Sequence, residues 1–249
     1  LFALALVGMP VGKLSTTTIG KVLDGGASAC RAAGIPIAGG HTIDSVEPIY
    51  GLVAIGLVDP ANLKRNCDAR AGDVLILGKP LGVGIFSAAL KKEQLSVAAY
   101  SQMIDATTRL NTPGPRLARL PGVHAMTDVT GFGLGGHALE MARGSNLRLN
   151  IGWASVPLLQ GAKDLAQAGF ITGASGRNWT SYGDGIELAG SLSDIDRALL
   201  CDPQTSGGLL VACAPEAVDE VMAIFRDEGF AEASIIGRIE TGAPSVVVA

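Results

Sequence analysis

Aromatic side chains make up only 4% of the 249 residues, and histidine occurs three times. So few ring faces cannot build a platform on which successive nucleic-acid bases stack. The 19 Lys and Arg against 23 Asp and Glu give a formal net charge of -4, with both signs spread along the chain and no basic block. A nucleic-acid backbone therefore finds no cationic stripe to hold it, and no nucleic-acid partner is expected. The four cysteines, Cys30, Cys67, Cys201 and Cys213, stand far apart without a CxxC pair. That suggests neither a zinc knuckle nor a disulfide framework, and a cytoplasmic protein with reduced thiols is the simplest reading. Long hydrophobic runs are also lacking. "YGLVAIGLV" (Tyr50 to Val58) is too short to cross a bilayer as a helix, so no membrane partner is expected. The opening "LFALALVGMP" has no basic residues before it and no cleavage signal, so it is a poor leader peptide. There is no GxSxG elbow and no Cys with a nearby His, which argues against covalent hydrolase chemistry.

What remains is a chain with 48% apolar and 17% charged residues, a globular balance, and 34 glycines gathered in short runs. Its first residues already read as an apolar strand, so the chain is expected to begin inside an element, as a truncated product would. "LFALALVGMP" predicts a buried strand ending at Pro10. Ser15 or Thr16 can cap a helix whose Ile19, Val22 and Leu23 form a stripe, ending near Gly34. "IPIAGGHTID" predicts a short strand running into a polar, glycine-bearing turn, and "PIYGLVAIGLVDP" a buried strand. The polar connection Asp59 to Asp73 is the expected domain boundary. Beyond it strands and helices alternate, which predicts a layered α/β or α+β domain. There "VLILGKPLG" reads as a strand and turn, "VAAYSQMIDATTRLNTPGP" as a helix closed by Pro113, and "TGASGRNWTSYGDG" as a long polar loop.

Three glycine turns bear chemistry. In "AGGHTID", Gly39 and Gly40 allow backbone to approach a ligand, and His41, Thr42 and Asp44 offer polar groups. In "MTDVTGFGLGGH" a strand runs through Thr127 and Asp128 into a glycine-rich turn and then a helix carrying Leu134, Ala138, Met141 and Ala142 on one face. Such a turn presents free N–H groups to an anion, and Asp128 is a hard oxygen donor of the kind Mg²⁺ takes beside phosphate. It is not a P-loop, having no Gly-Lys-Ser/Thr, and the dinucleotide pattern at Gly131, Gly133 and Gly136 lacks its acidic partner. In "CDPQTSGGLL" three hydrogen-bonding side chains crowd before Gly207-Gly208. Each stretch also has a purely structural reading as a tight turn with a capping side chain. Elsewhere His124 and His137 read as packing or surface residues, Lys79 as a solvated loop lysine, Arg177 and Asn178 as candidate anion binders, and Trp153 and Trp179 as packing residues.

Taken together, "GIPIAGGHTID", "EPIYGLVAIGLV", "KPLGVGI", "AMTDVTGFGLGGH", "GRNWTSYG" and "CDPQTSGGLLVA" resemble the selenophosphate synthetases (selenide, water dikinases), in that family's order and over essentially the whole chain. Aminoimidazole ribonucleotide synthetase and thiamine-phosphate kinase share the fold but usually carry other residues in the Asp128 stretch. The resemblance implies the end of an N-terminal β-rich dimerisation domain, residues 1–58, followed by a C-terminal layered α/β domain, residues 59–249. It implies a homodimer, ATP and selenide as substrates, and Mg²⁺ as cofactor. By motif, Asp128 is the implied metal ligand, and Gly39, Gly40, His41 and Thr42 line the nucleotide site. The family's Cys or selenocysteine and nearby Lys lie in a glycine-rich segment that is not in this sequence, so no catalytic residue is assigned and a chain of this extent is expected to bind nucleotide weakly without turnover. Two other readings stay open: another ATP-dependent synthetase or kinase of the same superfamily, and a non-catalytic binding or dimerisation half of a split enzyme.

Overall fold

The computed structural model describes residues 1–249, which divide into two compact units, Leu1–Ala61 and Asn62–Ala249. The division falls within the polar Asp59 to Asp73 connection.

The first unit contains β1 (Phe2–Met9), α1 (Thr16–Ala32), β2 (Ile37–Asp44) and β3 (Ile49–Ile55). Helix α1 starts where the Ser15 side chain accepts from the Thr18 amide, which satisfies one of the free donors of the first turn. It continues through Gly25 and Gly26, and glycine at 26 makes room for Tyr50, since a Cβ there would lie 1.8 Å from the Tyr50 hydroxyl oxygen. The sheet order is β2-β1-β3, with β1 parallel to β2 and antiparallel to β3. Register pairs Val7 with Tyr50, so Val7, Ala5 and Ala3 share the face that carries Tyr50 towards α1. The opposite face carries Leu6, Ile43, Ile49, Val53 and Ile55, all exposed. Strand β3, expected to be buried, therefore has one bare side: a single helix covers one face of the sheet and nothing within the unit covers the other.

The second unit runs β4 (Val74–Leu77), α2 (Val83–Lys91), α3 (Val97–Thr108), α4 (Pro113–Leu117), β5 (Val123–Asp128), α5 (Gly133–Ser145), β6 (Arg148–Ile151), α6 (Ala162–Gln167), α7 (Gly173–Tyr182), β7 (Ile186–Leu188), α8 (Asp194–Leu200), β8 (Leu209–Cys213), α9 (Val218–Asp227), β9 (Ser234–Glu240) and β10 (Ser245–Val248). Its seven-stranded mixed sheet has the order β5-β8-β4-β9-β6-β10-β7. Side chains alternate between its faces, as the pleat requires. Leu75, Leu77, Leu210 and Ala212 join the core under α5, with Leu134, Ala138, Leu139, Met141 and Ala142. Val74, Ile76, Val211 and Cys213 join Leu117 of α4 and Val221, Ile224 and Phe225 of α9 on the other side. A third cluster ties α2, α3 and α6 together through Val83, Phe86, Met103 and Ala162.

Two local readings are corrected. The segment read as a long polar loop is largely helix α7. Thr172 caps it by accepting from the Ser175 amide, and its buried side chains at Ser175, Asn178 and Tyr182 are mostly polar. A helix that buries hydrogen-bonding groups has no apolar periodicity to reveal it. Pro113 also does not close the preceding helix. Helix α3 ends at Thr108, and Pro113 occupies the first turn of the separate helix α4, where its missing N–H costs nothing.

Candidate functional site

Strand β5 is an edge strand, and its last residue, Asp128, is exposed at the point where the chain turns into α5. The turn is locked from behind. The Val129 amide donates to Gly208 O at 2.9 Å, and the Gln204 amide donates to Thr130 O at 2.9 Å. A Cβ at Gly207 would lie 1.9 Å from Val129 O, and one at Gly133 would lie 2.7 Å from the Cys201 carbonyl carbon. The turn after Asp128 and the "DPQTSGG" segment are thus one backbone-to-backbone knot, and glycine is required there by lack of room.

Helix α7 supplies the clamp. Asn178 Nδ2 donates to Gly131 O at 2.9 Å and to Cys201 O at 3.0 Å, and the Tyr182 hydroxyl donates to Phe132 O. Asn178 and Tyr182 lie four residues apart, on one face of the helix. Burial, followed by the proximity of Cys201, pushes the Tyr182 phenol well above its ordinary range, so it stays a donor. Of the glycines in "TGFGLGG", only Gly131 faces open space: an added Cβ would meet nothing within 4 Å, whereas those at Gly133, Gly135 and Gly136 would all be crowded. Gly131, Phe132 and Asp128 are exposed together with Thr205 and Ser206 of the adjoining turn.

Behind this rim lie two buried ionisable groups. Asp202 Oδ2 accepts from the Gly84 and Ile85 amides at 2.9 and 3.4 Å and from Gln204 Nε2 at 2.9 Å. Gln204 Oε1 accepts from the Gly82 and Val83 amides, so both side chains cap α2, whose own N-cap is a glycine. Burial raises the Asp202 carboxyl to about 7 despite these bonds. Lys79 is not a solvated loop residue, as its sequence context suggested. It is 3% exposed, and Nζ donates to Ala106 O, Arg109 O and Ser206 O at 3.0, 2.6 and 2.6 Å. Burial and then the nearby Arg109 lower its ammonium to about 8.

The residues of "AGGHTID" lie on β2, and the expected turn there is extended strand. Gly39 and Gly40 have φ of +147° and +154°, and a Cβ at Gly40 would lie 1.8 Å from Ala5 O, so that glycine serves a close approach to β1 just beyond the bulge between Ala3 and Leu4. Gly39 faces open space. His41 pairs with Leu6 and Thr42 with Val7, so their side chains leave on opposite faces of the sheet. These residues belong to the first unit and Asp128 to the second.

No group of three or more His, Cys, Asp or Glu side chains is gathered to hold a metal ion. Asp128 is a single exposed carboxylate. Mg²⁺ fits such a donor set only as a nucleotide-borne ion, with one carboxylate here and its other ligands from phosphate oxygens and water. Sequence reasoning missed the packing roles of Asn178, Tyr182, Asp202 and Lys79. All four bond to backbone carbonyls or amides distant in sequence, and no local pattern encodes such partners.

Comparison with known proteins gives a consistent result. The families described as AIR synthase related protein, N-terminal domain and C-terminal domain, match residues 1–58 and 70–249. The selenide, water dikinase of Pseudomonas straminea is 63% identical over 248 residues, covering the whole chain and 70% of that relative. That of Dechloromonas aromatica is 62% identical, covering the whole chain and 71% of the relative. Among solved structures, thiamine-monophosphate kinase from Stenotrophomonas maltophilia superposes with a TM-score of 0.72 at 20% identity, over 99% of this chain and 71% of that one. Hydrogenase maturation protein HypE in complex with ATP gives 0.71 at 20% identity, over 99% and 69%. These two likenesses establish the AIR synthase-like fold.

Proposed function

We propose, from the premise that the chain belongs to the selenide, water dikinase family of AIR synthase related proteins, that it serves ATP-dependent phosphoryl transfer to selenide, giving selenophosphate, AMP and phosphate. The observation that carries this reading at the level of the site is the turn after β5. An exposed carboxylate, Asp128, adjoins the one glycine of the turn that faces open space, and both stand on a backbone that Asn178, Tyr182 and the "DPQTSGG" segment hold rigid. Phosphoryl transfer asks for positioning and charge neutralisation more than for a covalent nucleophile. Mg²⁺ accompanying the nucleotide would supply the neutralisation, with Asp128 as its ligand on this unit.

The chain's own contribution is to fix geometry. Gly131 lets a phosphate come close to backbone, and the N-terminal end of α5 favours negative charge there. The rigid knot behind the turn keeps Asp128 in place without reorganisation when the nucleotide arrives. In the first unit, Gly39, Gly40, His41 and Thr42 are the proposed nucleotide-lining residues: Gly39 borders open space that would admit a ligand, and the opposed side chains of His41 and Thr42 would serve separate contacts. The bare apolar face of Leu6, Ile43, Ile49, Val53 and Ile55 suits a homodimer. No helix is long and apolar enough to cross a membrane, and the four free cysteines support the cytoplasm as its location.

The test is ³¹P NMR of a full-length version that also carries the glycine-rich Cys- and Lys-bearing segment, with ATP, Mg²⁺ and selenide under anaerobic conditions, the chain of the present extent being expected to give no turnover. A selenophosphate resonance growing in step with AMP and phosphate, lost in Asp128→Asn, is the expected result. ATP consumption that ignores selenide would overturn the substrate, and undiminished turnover in Asp128→Asn would overturn the site.

A further inference from the structure

Two residues beyond Asp128, the Thr130 hydroxyl lies 3.1 Å from His137 Nε2, and His137 Nδ1 lies 3.1 Å from Glu140 Oε2. His137 is 8% exposed, and its ring is tilted against Phe132 at 5.9 Å between centroids. An ionised carboxylate can only accept, so Nδ1 carries the hydrogen. In the neutral ring Nε2 is then a lone pair, and the hydrogen between it and Thr130 must come from the threonine. The Thr130 main chain is held too, its carbonyl accepting from the Gln204 and Gly133 amides. A hydroxyl that has committed its only proton inward offers only lone pairs outward.

We infer that His137, oriented by Glu140, is a positioning residue that sets Thr130 Oγ1 as an acceptor-only oxygen at the rim beside Asp128. What such an oxygen recognises is an O–H donor, and beside a carboxylate that holds a hydrated cation the fitting donor is cation-bound water. The inference rests on the reading of Asp128 given above. It accounts for the histidine of "GFGLGGH", which packing alone would not require to be polar: a buried leucine would fill the space without two partners.

The test has two arms. In the first, ¹H–¹⁵N long-range correlation spectra of the chain report the His137 tautomer. The Nδ1–H form is expected, and the Nε2–H form overturns the inference outright. In the second, Mn²⁺-ATP binding is followed by electron paramagnetic resonance for wild type, Asp128→Asn, Thr130→Val and Thr130→Ser, each shown by thermal unfolding to be folded. Thr130→Val is expected to weaken binding by about three- to tenfold, the value of one hydrogen bond, with Thr130→Ser restoring it. Thr130→Val equal to wild type while Asp128→Asn is impaired overturns the inference alone. Asp128→Asn equal to wild type, or no binding by wild type, overturns the reading on which it rests.

Discussion

The Asp202 carboxylate lies 2.9 Å from the Gly84 backbone nitrogen, although the two residues are 118 positions apart in the chain. Through this bond the "DPQTSGG" segment caps helix α2, and the same segment backs the turn that carries Asp128. The cap and the candidate site therefore share one piece of chain, and disturbing either is felt by both.

Asp202 makes stability depend on pH in an unusual direction for an acid. Its carboxyl is raised by burial to about 7 in the fold from an unfolded value of 3.8. Its contribution is therefore complete below the unfolded value and is lost as pH rises through about 7. Asp202→Asn keeps an acceptor for the Gly84 and Ile85 amides without the charge. Above pH 8 it is expected to be more stable than wild type by on the order of 3 kcal/mol, and its midpoint should be flatter between pH 5 and 8. Urea unfolding at several pH values measures this. A wild type as stable at pH 8 as at pH 5 would contradict it.

Lys79→Met removes the donor shared by the carbonyls of Ala106, Arg109 and Ser206. Leaving them unpaired is expected to cost about 2 kcal/mol, net of the ammonium's own burial. That corresponds to a thermal midpoint lower by roughly 5 °C in a unit of this size. Because the folded ammonium is lowered to about 8, wild-type stability should also rise as pH goes from 8 towards 10.5, and the variant should lack that rise. Calorimetry across this range checks both.

Asn178→Ala frees the carbonyls of Gly131 and Cys201 together. Amide hydrogen exchange is expected to accelerate at Gly131 to Gly133, with a loss of about 1–3 kcal/mol in overall stability. Unchanged exchange in the turn would mean that α7 does not clamp it.

Gly131→Ala and Gly207→Ala should part company. An added methyl at Gly131 meets nothing within 4 Å, whereas at Gly207 it lies 1.9 Å from Val129 O. The first variant is expected to fold with a wild-type midpoint and to bind ATP more weakly, because its methyl occupies the space offered to phosphate. The second is expected to fold poorly or not at all. Wild-type nucleotide affinity in folded Gly131→Ala would remove Gly131 from the site.

Val53→Glu places a charge in the middle of the exposed face of the first unit's sheet. If that face joins two copies, sedimentation velocity is expected to show a shift from dimer to monomer, since an unpaired buried charge costs several kcal/mol. A wild type that sediments as a monomer at all concentrations would rule out this use of the face.

The sequence by itself carried the order of elements, because apolar periodicity and glycine or proline punctuation are local signals. The run Val123 to Asp128, the turn, and the stripe Leu134, Ala138, Met141 and Ala142 were legible for that reason. So was the family, since motifs in a fixed order survive without any knowledge of distance. Sequence could not say which glycine of "TGFGLGG" borders empty space and which are pressed against another backbone, because glycine looks the same in both settings. Nor could it show that a polar helix, α7, buries Asn178 and Tyr182, or that Lys79 lies inside. Those facts depend on carbonyls and amides brought close from distant parts of the chain. Only the tertiary structure decided that the stretches around Asp128, Asn178 and Asp202 form one rigid knot, because a hydrogen bond is set by distance in space and leaves no trace in the spacing of its partners.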